Sequence, residues 1–304
     1  MRSSDVVIVG SGFTGLLAAQ ALRGEGMRVR LVDKAARPGG RLSTRRVGDS
    51  GIDSGIRSFE IRDGQVMEAL ASLAGDCLQI TDQRHGWHVT WDGTARQLAA
   101  ALVAPMTVQT ALVTHLRPTN GGVRLGLWGT DEQAVSRWVI LTAPAPQSHL
   151  LLQRSGLTMA GRAPHYERRL VLLAALTEKP SVAAGSVVFD QVEAWPRGDR
   201  WLLRARVTSQ ESARMWDHDA THTLAGLLLE LAGVTGGVSV VAADCMRWRY
   251  AFATGVTPAS HSQVDGLPVL LGGDGFGADN RREASVERAC RSGLDMAARV
   301  IASG

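Results

Sequence analysis

The sequence predicts an α/β fold built around a parallel sheet, and three features carry that expectation. Residues 5–33, DVVIVGSGFTGLLAAQALRGEGMRVRLVD, run from a short apolar strand through a glycine turn into an apolar helix and out to a second strand. Residues 267–301 repeat the order, with the strand LPVLL, the glycine turn GGDGFG and a closing helix. Between these ends lie runs with the two-residue alternation of strands, separated by Gly and Pro turns. A strand–helix–strand order brings successive strands side by side and parallel.

In the first unit, residues 6–9 read as a buried strand and the helix extends to about residue 22, where Gly24 and Gly26 break it before a strand that ends at Asp33. The GxGxxG spacing assigns each glycine its own role. Gly10 makes the tight turn, Gly12 lets the backbone approach a pyrophosphate, and Gly15 lets the helix lie close to the strand. Phe13 and Thr14 open the helix, whose positive end and free N–H groups favour phosphate. Asp33 lies 23 residues after Gly10, where a carboxylate takes both hydroxyls of an adenosine ribose and repels a 2′-phosphate; Lys34 follows it. The spacing therefore predicts a Rossmann-like dinucleotide site and disfavours NADP, leaving NAD and FAD open.

Composition sets further limits. A chain of 304 residues with 45% hydrophobic content builds a sizeable core in about two domains. The net charge of +4 is spread among acids, as in Arg281-Arg282-Glu283 and Glu287-Arg288, which reads as solvated surface and predicts no nucleic-acid groove. Cys77, Cys245 and Cys290 are odd in number and lack metal-like spacing, so neither a disulfide framework nor a metal site is expected, and a reducing cytoplasm is the expected location. Arg2 and the apolar run after it resemble a signal peptide, but Asp5 precedes the run and Gly10, Ser11, Gly12 and Thr14 interrupt it. No apolar stretch reaches about 18 residues, so no membrane span is expected. The leucine-rich residues 224–234 include Glu230 and read as a core-facing helix.

Two further motifs bear on the cofactor. In KAARPGGRLSTRR, Gly39-Gly40-Arg41 and Arg45 can bring backbone N–H groups and a guanidinium to the same pyrophosphate from its other side, an addition that simple NAD dehydrogenases do not need. At the far end, Gly272, Gly273, Gly275 and Gly277 turn the strand at 267–271 into a helix over about 283–301, with Asp279 or Asn280 as its expected cap. Val286, Ala289, Cys290, Gly293, Met296, Ala297, Val300 and Ile301 recur at three- and four-residue intervals and predict one buried face. The positive end of that helix would favour negative charge at the loop.

Taken together, GSGFTG, PGGRLSTRR, DSGIRSF, GTARQLAAAL, LVTHL, LTAPAPQ, RWRY and LLGGDGFG make the chain resemble the flavin-containing amine oxidases and, within them, the renalase-like branch. The resemblance implies a Rossmann-like FAD-binding domain (1–59, 92–146 and 241–304) interleaved with a smaller α+β substrate domain (60–91 and 147–240). Helix is expected near 96–102 and 221–232, and strand near 108–113, 123–128, 138–142 and 201–207. By this similarity Asp33 holds the adenosine ribose, Gly40 and Arg41 lie along the pyrophosphate and ring edge, Val113 offers its backbone to the adenine, and Asp274, with Gly273, Gly275 and Phe276, meets the ribityl and phosphate region. The two end loops would then grip one noncovalently bound FAD from opposite sides.

The resemblance also nominates the substrate side: Trp248 beside the ring, Arg249 and Tyr250 lining the cavity, and Tyr166 as an aromatic of the pocket. Trp248 and Tyr166 have plainer readings, the first as a core tryptophan and the second as a tyrosine bonded to backbone; His165 reads as solvated. DSGIRSF departs from the renalase-like DxGAQYF, with Ile56 in place of alanine and Arg57 and Ser58 in place of glutamine and tyrosine. Arg57 can bind an anionic group of the substrate, or lie at the surface paired with Asp53 or Asp63. The resemblance implies hydride removal from a small amine-like or dihydropyridine-like substrate, O2 being the final acceptor and H2O2 the product, and the lack of a Ser-His-Asp or HExxH arrangement is in keeping with it. A tailoring enzyme of secondary metabolism, a renalase-type repair of dihydronicotinamide isomers, a flavoprotein without net redox turnover and a simple NAD dehydrogenase remain alternatives.

Overall fold

Strand β1 (Ser3–Val9) buries Val6, Val7 and Ile8 completely, as a strand covered on both faces requires. The computed structural model to which it belongs describes residues 3–104, 106–130, 134–159, 163–183 and 185–303; Arg2 and the chain ends at 1 and 304 lie outside them. Gly10–Gly12 lead into helix α1 (Phe13–Gly24), and β2 (Val29–Asp33) returns parallel to β1. Leu16, Leu17, Ala18, Ala19 and Leu22 of α1 are buried, and Gly26, at φ 75°, makes the reversal that a side chain would strain.

The hairpin β3 (Thr44–Val47) and β4 (Ser50–Asp53) comes next, then β5 (Phe59–Ile61), α2 (Gly64–Ala74), β6 (Leu78–Gln83) and β7 (Gly86–Trp91). Asp63 caps α2 by accepting from Gln65 N and Val66 N, and α3 (Ala95–Val103) opens with a capping box of Thr94 and Gln97. Strand β8 (Val108–Thr110) pairs with β2, and β9 (Leu112–Thr119) and β10 (Gly122–Trp128) form a hairpin that reaches β11 (Ala134–Leu141). The strand expected over 108–113 divides at Ala111, where pairing passes from β2, the partner of β8, to β10, the partner of β9; Ala111 N still donates to Asp33 O at 2.8 Å. Helix α4 (Ala145–Arg154) follows; then come β12 (His165–Leu176), β13 (Phe189–Arg197), β14 (Arg200–Val207), α5 (Ser209–Arg214), α6 (Ala220–Thr235) and β15 (Val240–Thr254). Strands β16 (His261–Gln263) and β17 (Val269–Gly272) and helix α7 (Ser285–Ile301) complete the chain.

The chain divides into two compact units, the first comprising Met1–Arg41, Arg57–His165 and Ala253–Gly304. Its main sheet runs β16-β17-β11-β1-β2-β8, with β1, β2, β8, β11 and β17 parallel, and its smaller sheet runs β5-β7-β6. This is the α/β, Rossmann-like arrangement that the alternation of elements predicts. The second unit comprises Leu42–Ile56 and Tyr166–Phe252 and contains the sheet β13-β14-β12-β15.

These limits differ from those expected. Residues 60–91 belong to the first unit because α2 and β5 pack against α7, and residues 147–165 join it through α4 against β9. Residues 42–56 belong to the second unit because β4 packs on β14, and 241–252 do so because β15 pairs with β12.

Strand periodicity sorts the second unit's core. Leu170, Leu172, Ala174 and Leu176 share one apolar cluster with Leu203, Ala205, Leu227 and Leu231, while Val171, Leu173 and Ala175 share another with Leu202, Val47 and Ile52. Helix α6 does not bury all its leucines, since Leu229 is 77% exposed. Among the described residues no helix is long and apolar enough to cross a membrane.

Helix α7 begins at Ser285, two residues later than expected, and its N-cap is Ala284, without a side-chain cap. Asp279 does not cap it because its carboxylate accepts from Arg281 N and Nε instead. The buried stripe forms as expected except at Ile301, which is 39% exposed. Gly293 explains how closely α7 lies on α1: a Cβ there would stand 2.3 Å from Thr14 O.

Candidate functional site

Three glycine loops converge in the first unit. Gly10 has φ 112°, and a Cβ there would lie 2.4 Å from Thr142 Oγ1, which donates to Val9 O and Gly10 O. A Cβ on Gly15 would lie 2.0 Å from Gly10 O, so the glycine lets α1 start directly above β1. At Gly12 the same test meets no described atom within 4 Å. Gly12 is also the N-cap of α1 and brings no side-chain cap, so the first-turn N–H groups and the open space above Gly12 form a cradle suited to phosphate. Phe13 turns its ring into the core against Phe59, edge to face at 5.4 Å, so any contribution to a ligand comes from its backbone; Thr14 is buried under α7.

The second loop reaches the first through its backbone. Gly39 N donates to Ser11 O at 2.9 Å, and Gly40, at φ 58°, approaches so closely that its Cβ would sit 3.4 Å from Gly12 Cα. The third loop, at the end of β17, joins through Arg41, whose Nη1 lies 2.8 Å from Asp274 Oδ2. Asp274 is 3% exposed, while Gly273 N donates to Ser292 Oγ of α7 at 2.9 Å. Thr257 braces the loop from outside, its N donating to Gly275 O and its O accepting from Gly277 N; Phe276 is buried.

Arg288 is the residue that sequence reasoning misplaced. Its charge reads as one of the scattered surface cations, yet it is 4% exposed. Its Nε donates to Asp274 O at 2.8 Å and its Nη1 to Asp279 O and Arg281 O, so the loop's carbonyls are satisfied by a guanidinium from α7. Its methylenes occupy the space that a Cβ on Gly277 would need. The spacing gave no signal of this, because Arg288 lies outside the helix's apolar stripe.

Asp33 stands at the end of β2 beside the first loop. Its Oδ2 accepts from Ser11 N at 2.8 Å and Ser11 Oγ at 2.6 Å, and its Oδ1 accepts from Ala35 N at 2.8 Å. A carboxylate offers about four acceptor positions, and among the described residues three are taken. Val113 is buried near the start of β9, and Lys34 reaches Gln147 Oε1 at 3.4 Å. The arrangement could hold a dinucleotide.

A family model for NAD(P)-binding Rossmann-like domains matches residues 8–74, which hold the first two loops. Hydroxyneurosporene desaturase of Rubrivivax gelatinosus is 34% identical over 93 residues, which make up 29% of this chain and 18% of that protein. The chain thus matches less than a fifth of that relative's length. Among solved structures, putrescine oxidase bound to putrescine is similar with a TM-score of 0.74 at 15% identity, over 99% of each chain. Cyclohexylamine oxidase from Brevibacterium oxydans IH-35A gives a TM-score of 0.67 at 13% identity, again over 99% of each chain. At such identities the likeness is one of fold.

The second unit holds the other nominated residues. Trp248 is partly buried against the Val47, Ile52, Val171 and Leu173 cluster, and its Nε1 donates to Ser54 O at 2.9 Å. The next carbonyl, Gly55 O, accepts from Arg204, which also pairs with Glu193 at 2.7 Å. Burial pushes the Arg204 guanidinium below its ordinary range, while Glu193 opposes the shift. Asp53 is 2% exposed and accepts from Thr44 Oγ1 at 2.7 Å, so DSG is bonded at three successive residues. Tyr166 and Tyr250 meet edge to face at 5.8 Å. Arg249 and His165 are exposed, and Arg247 is committed to Trp216 O, His218 O and Thr223 Oγ1.

Arg57 is partly buried on the link between β4 and β5 and falls in the first unit, whereas Tyr166, Trp248 and Tyr250 fall in the second. Asp63, one of its alternative partners, pairs with Arg291. Burial pushes the Cys245 thiol up to about 11, which keeps it protonated and a poor nucleophile at neutral pH. Among the described residues no group of His, Cys, Asp and Glu could hold a metal ion.

Proposed function

We propose that this chain is an FAD-dependent oxidoreductase that takes a hydride from a small amine-like or dihydropyridine-like substrate. The observation that carries the reading is the convergence of three glycine loops, the third brought in by Arg41 and Asp274, around the open space at Gly12. A dinucleotide held by the first loop alone needs neither the Gly40 approach nor a partner from the C-terminal end. When bound, FAD would supply a two-electron acceptor that takes the hydride at N5 and passes its electrons to O2, giving H2O2.

The residues present fit that group. Gly12 and the start of α1 would hold the pyrophosphate, Gly40 and Arg41 would close over it, Asp33 would accept from the adenosine ribose, and Val113 would present its backbone to the adenine. Asp274, with Gly273, Gly275 and Phe276 around it, would meet the ribityl side. Tyr166, Trp248 and Tyr250 would orient the substrate, and Arg57 would bind an anionic group on it. The likeness in fold to enzymes named putrescine oxidase and cyclohexylamine oxidase supports oxidation beside nitrogen. The partial match to a desaturase supports a second reading, removal of hydrogen across a C–C bond by a tailoring enzyme. The replacements at Arg57 and Ser58 weigh against a renalase-type substrate. The free cysteines and the protonated Cys245 support noncovalent FAD and a reducing cytoplasm.

Anaerobic mixing of the purified protein with a panel of amines, cyclic imines and dihydronicotinamide isomers tests the reading. Loss of the oxidised flavin band with one substrate class, and H2O2 on admitting O2, is the expected result. Protein that carries FAD yet is bleached by none of them would point to a scaffold use of FAD. Protein that carries no FAD would return the chain to the NAD dehydrogenases.

A further inference from the structure

We propose that Ser11 is the specificity-determining residue of the dinucleotide site, acting as a positioning residue that pins Asp33 so that only an adenosine ribose without a 2′-phosphate is accepted. The inference rests on the dinucleotide reading above and adds to it what sets the choice. Ser11 is fully buried between Gly10 and Gly12, and all three of its polar groups are used. Its N–H and hydroxyl both donate to Asp33 Oδ2, at 2.8 and 2.6 Å, and its carbonyl accepts from Gly39 N at 2.9 Å. One residue thus ties the acid at the end of β2 to the first two glycine loops.

The chemistry follows from what the carboxylate is free to do. An aspartate at a strand end can rotate about two side-chain bonds, and a rotated Asp33 would withdraw its charge from a 2′-phosphate and leave Lys34, the next residue, to meet it. Three donors prevent that rotation: the two from Ser11 and Ala35 N on Oδ1. The hydroxyl bond is charge-assisted and short, the stronger kind. Held in this way, the Asp33 carboxylate stays beside the first loop and, among the described residues, has one acceptor position left. Those two properties favour a donating hydroxyl and oppose a phosphate.

Calorimetric titration of nucleotide-free protein with ADP and with adenosine 2′,5′-bisphosphate tests this, since it reads the ratio of affinities and not turnover. The wild type is expected to prefer ADP. Ser11→Ala, which keeps the N–H bond and loses the hydroxyl, should narrow the ratio by about tenfold, the scale of one hydrogen bond to a charged group. Ser11→Gly loses the same hydroxyl without occupying space, and should narrow the ratio equally if the alanine variant does not fold. Asp33→Asn serves as the reference for loss of the charge. A ratio unchanged in both serine variants but narrowed in Asp33→Asn would overturn the inference, because the acid would then discriminate unaided. Wild-type protein that binds neither nucleotide would overturn the dinucleotide reading itself.

Discussion

Arg41 and Asp274 stand 233 residues apart in sequence and 2.8 Å apart in the fold, joining the glycine loop after β2 to the one after β17. The pair is asymmetric: Asp274 is 3% exposed and Arg41 31%. Its strength should therefore fall between that of a surface ion pair and that of a buried one. A double-mutant cycle of Arg41→Met and Asp274→Asn in urea denaturation should give a coupling of about 1–2 kcal/mol. Additive effects would mean that the loops are held together by backbone packing alone.

How the site is read from sequence depends on the range of the interaction. Gly10, Gly12, Gly15 and Asp33 are legible because their roles are local, set by spacing within one βαβ unit. Gly272 to Gly277 are legible as a turn, yet nothing in the spacing says that the turn meets Arg41; that contact depends on β17 lying next to β11. Arg288 and Arg204 are the least legible. Each is a buried cation whose partners are backbone carbonyls or an acid far along the chain, and sequence reading places arginines on the surface by default. The limits of the two compact units are hard to read for a related reason, since strand pairing across long separations, as between β12 and β15, decides them.

Trp248→Phe preserves an aromatic ring against Val47, Ile52 and Val171 while removing the donor to Ser54 O. A loss of about 1 kcal/mol in urea denaturation is expected, the net worth of one hydrogen bond. A larger loss would show that the indole packs more than its hydrogen bond contributes.

Arg57→Gln distinguishes the substrate reading of this residue from a surface one. If Arg57 binds an anionic group on the substrate, KM should rise by about tenfold with FAD content unchanged. Steady-state kinetics alongside the flavin-to-protein absorbance ratio provide the check. An unaltered KM would return Arg57 to the surface.

His149 and His261 give the fold a defined response to acid. Burial lowers the pKa of both rings, and at His261 Asp295 opposes the shift. Above a pH of about 6.5, the ordinary histidine value, both states hold neutral rings and this contribution is fully present. Below it the unfolded chain takes up protons first, so stability declines until the pH has passed the lowered folded values, after which the loss is complete. The urea midpoint should therefore fall on moving from about pH 7.5 to about pH 5.5, and fall less in the His149→Gln, His261→Gln double variant. Equal falls would assign the acid response to other groups.

The central claim is that the space over Gly12 is shaped for a dinucleotide, and Gly12→Val tests it most directly. The residue has φ −80° and ψ −175°, a conformation open to any side chain, and its Cβ would meet no described atom within 4 Å. Gly15→Ala is the control, because its Cβ would fall 2.0 Å from Gly10 O. Gly15→Ala should lower the thermal midpoint. Gly12→Val should leave the midpoint of the nucleotide-free protein unchanged and abolish FAD binding, followed by quenching of flavin fluorescence. FAD bound by Gly12→Val as tightly as by the wild type would contradict the account.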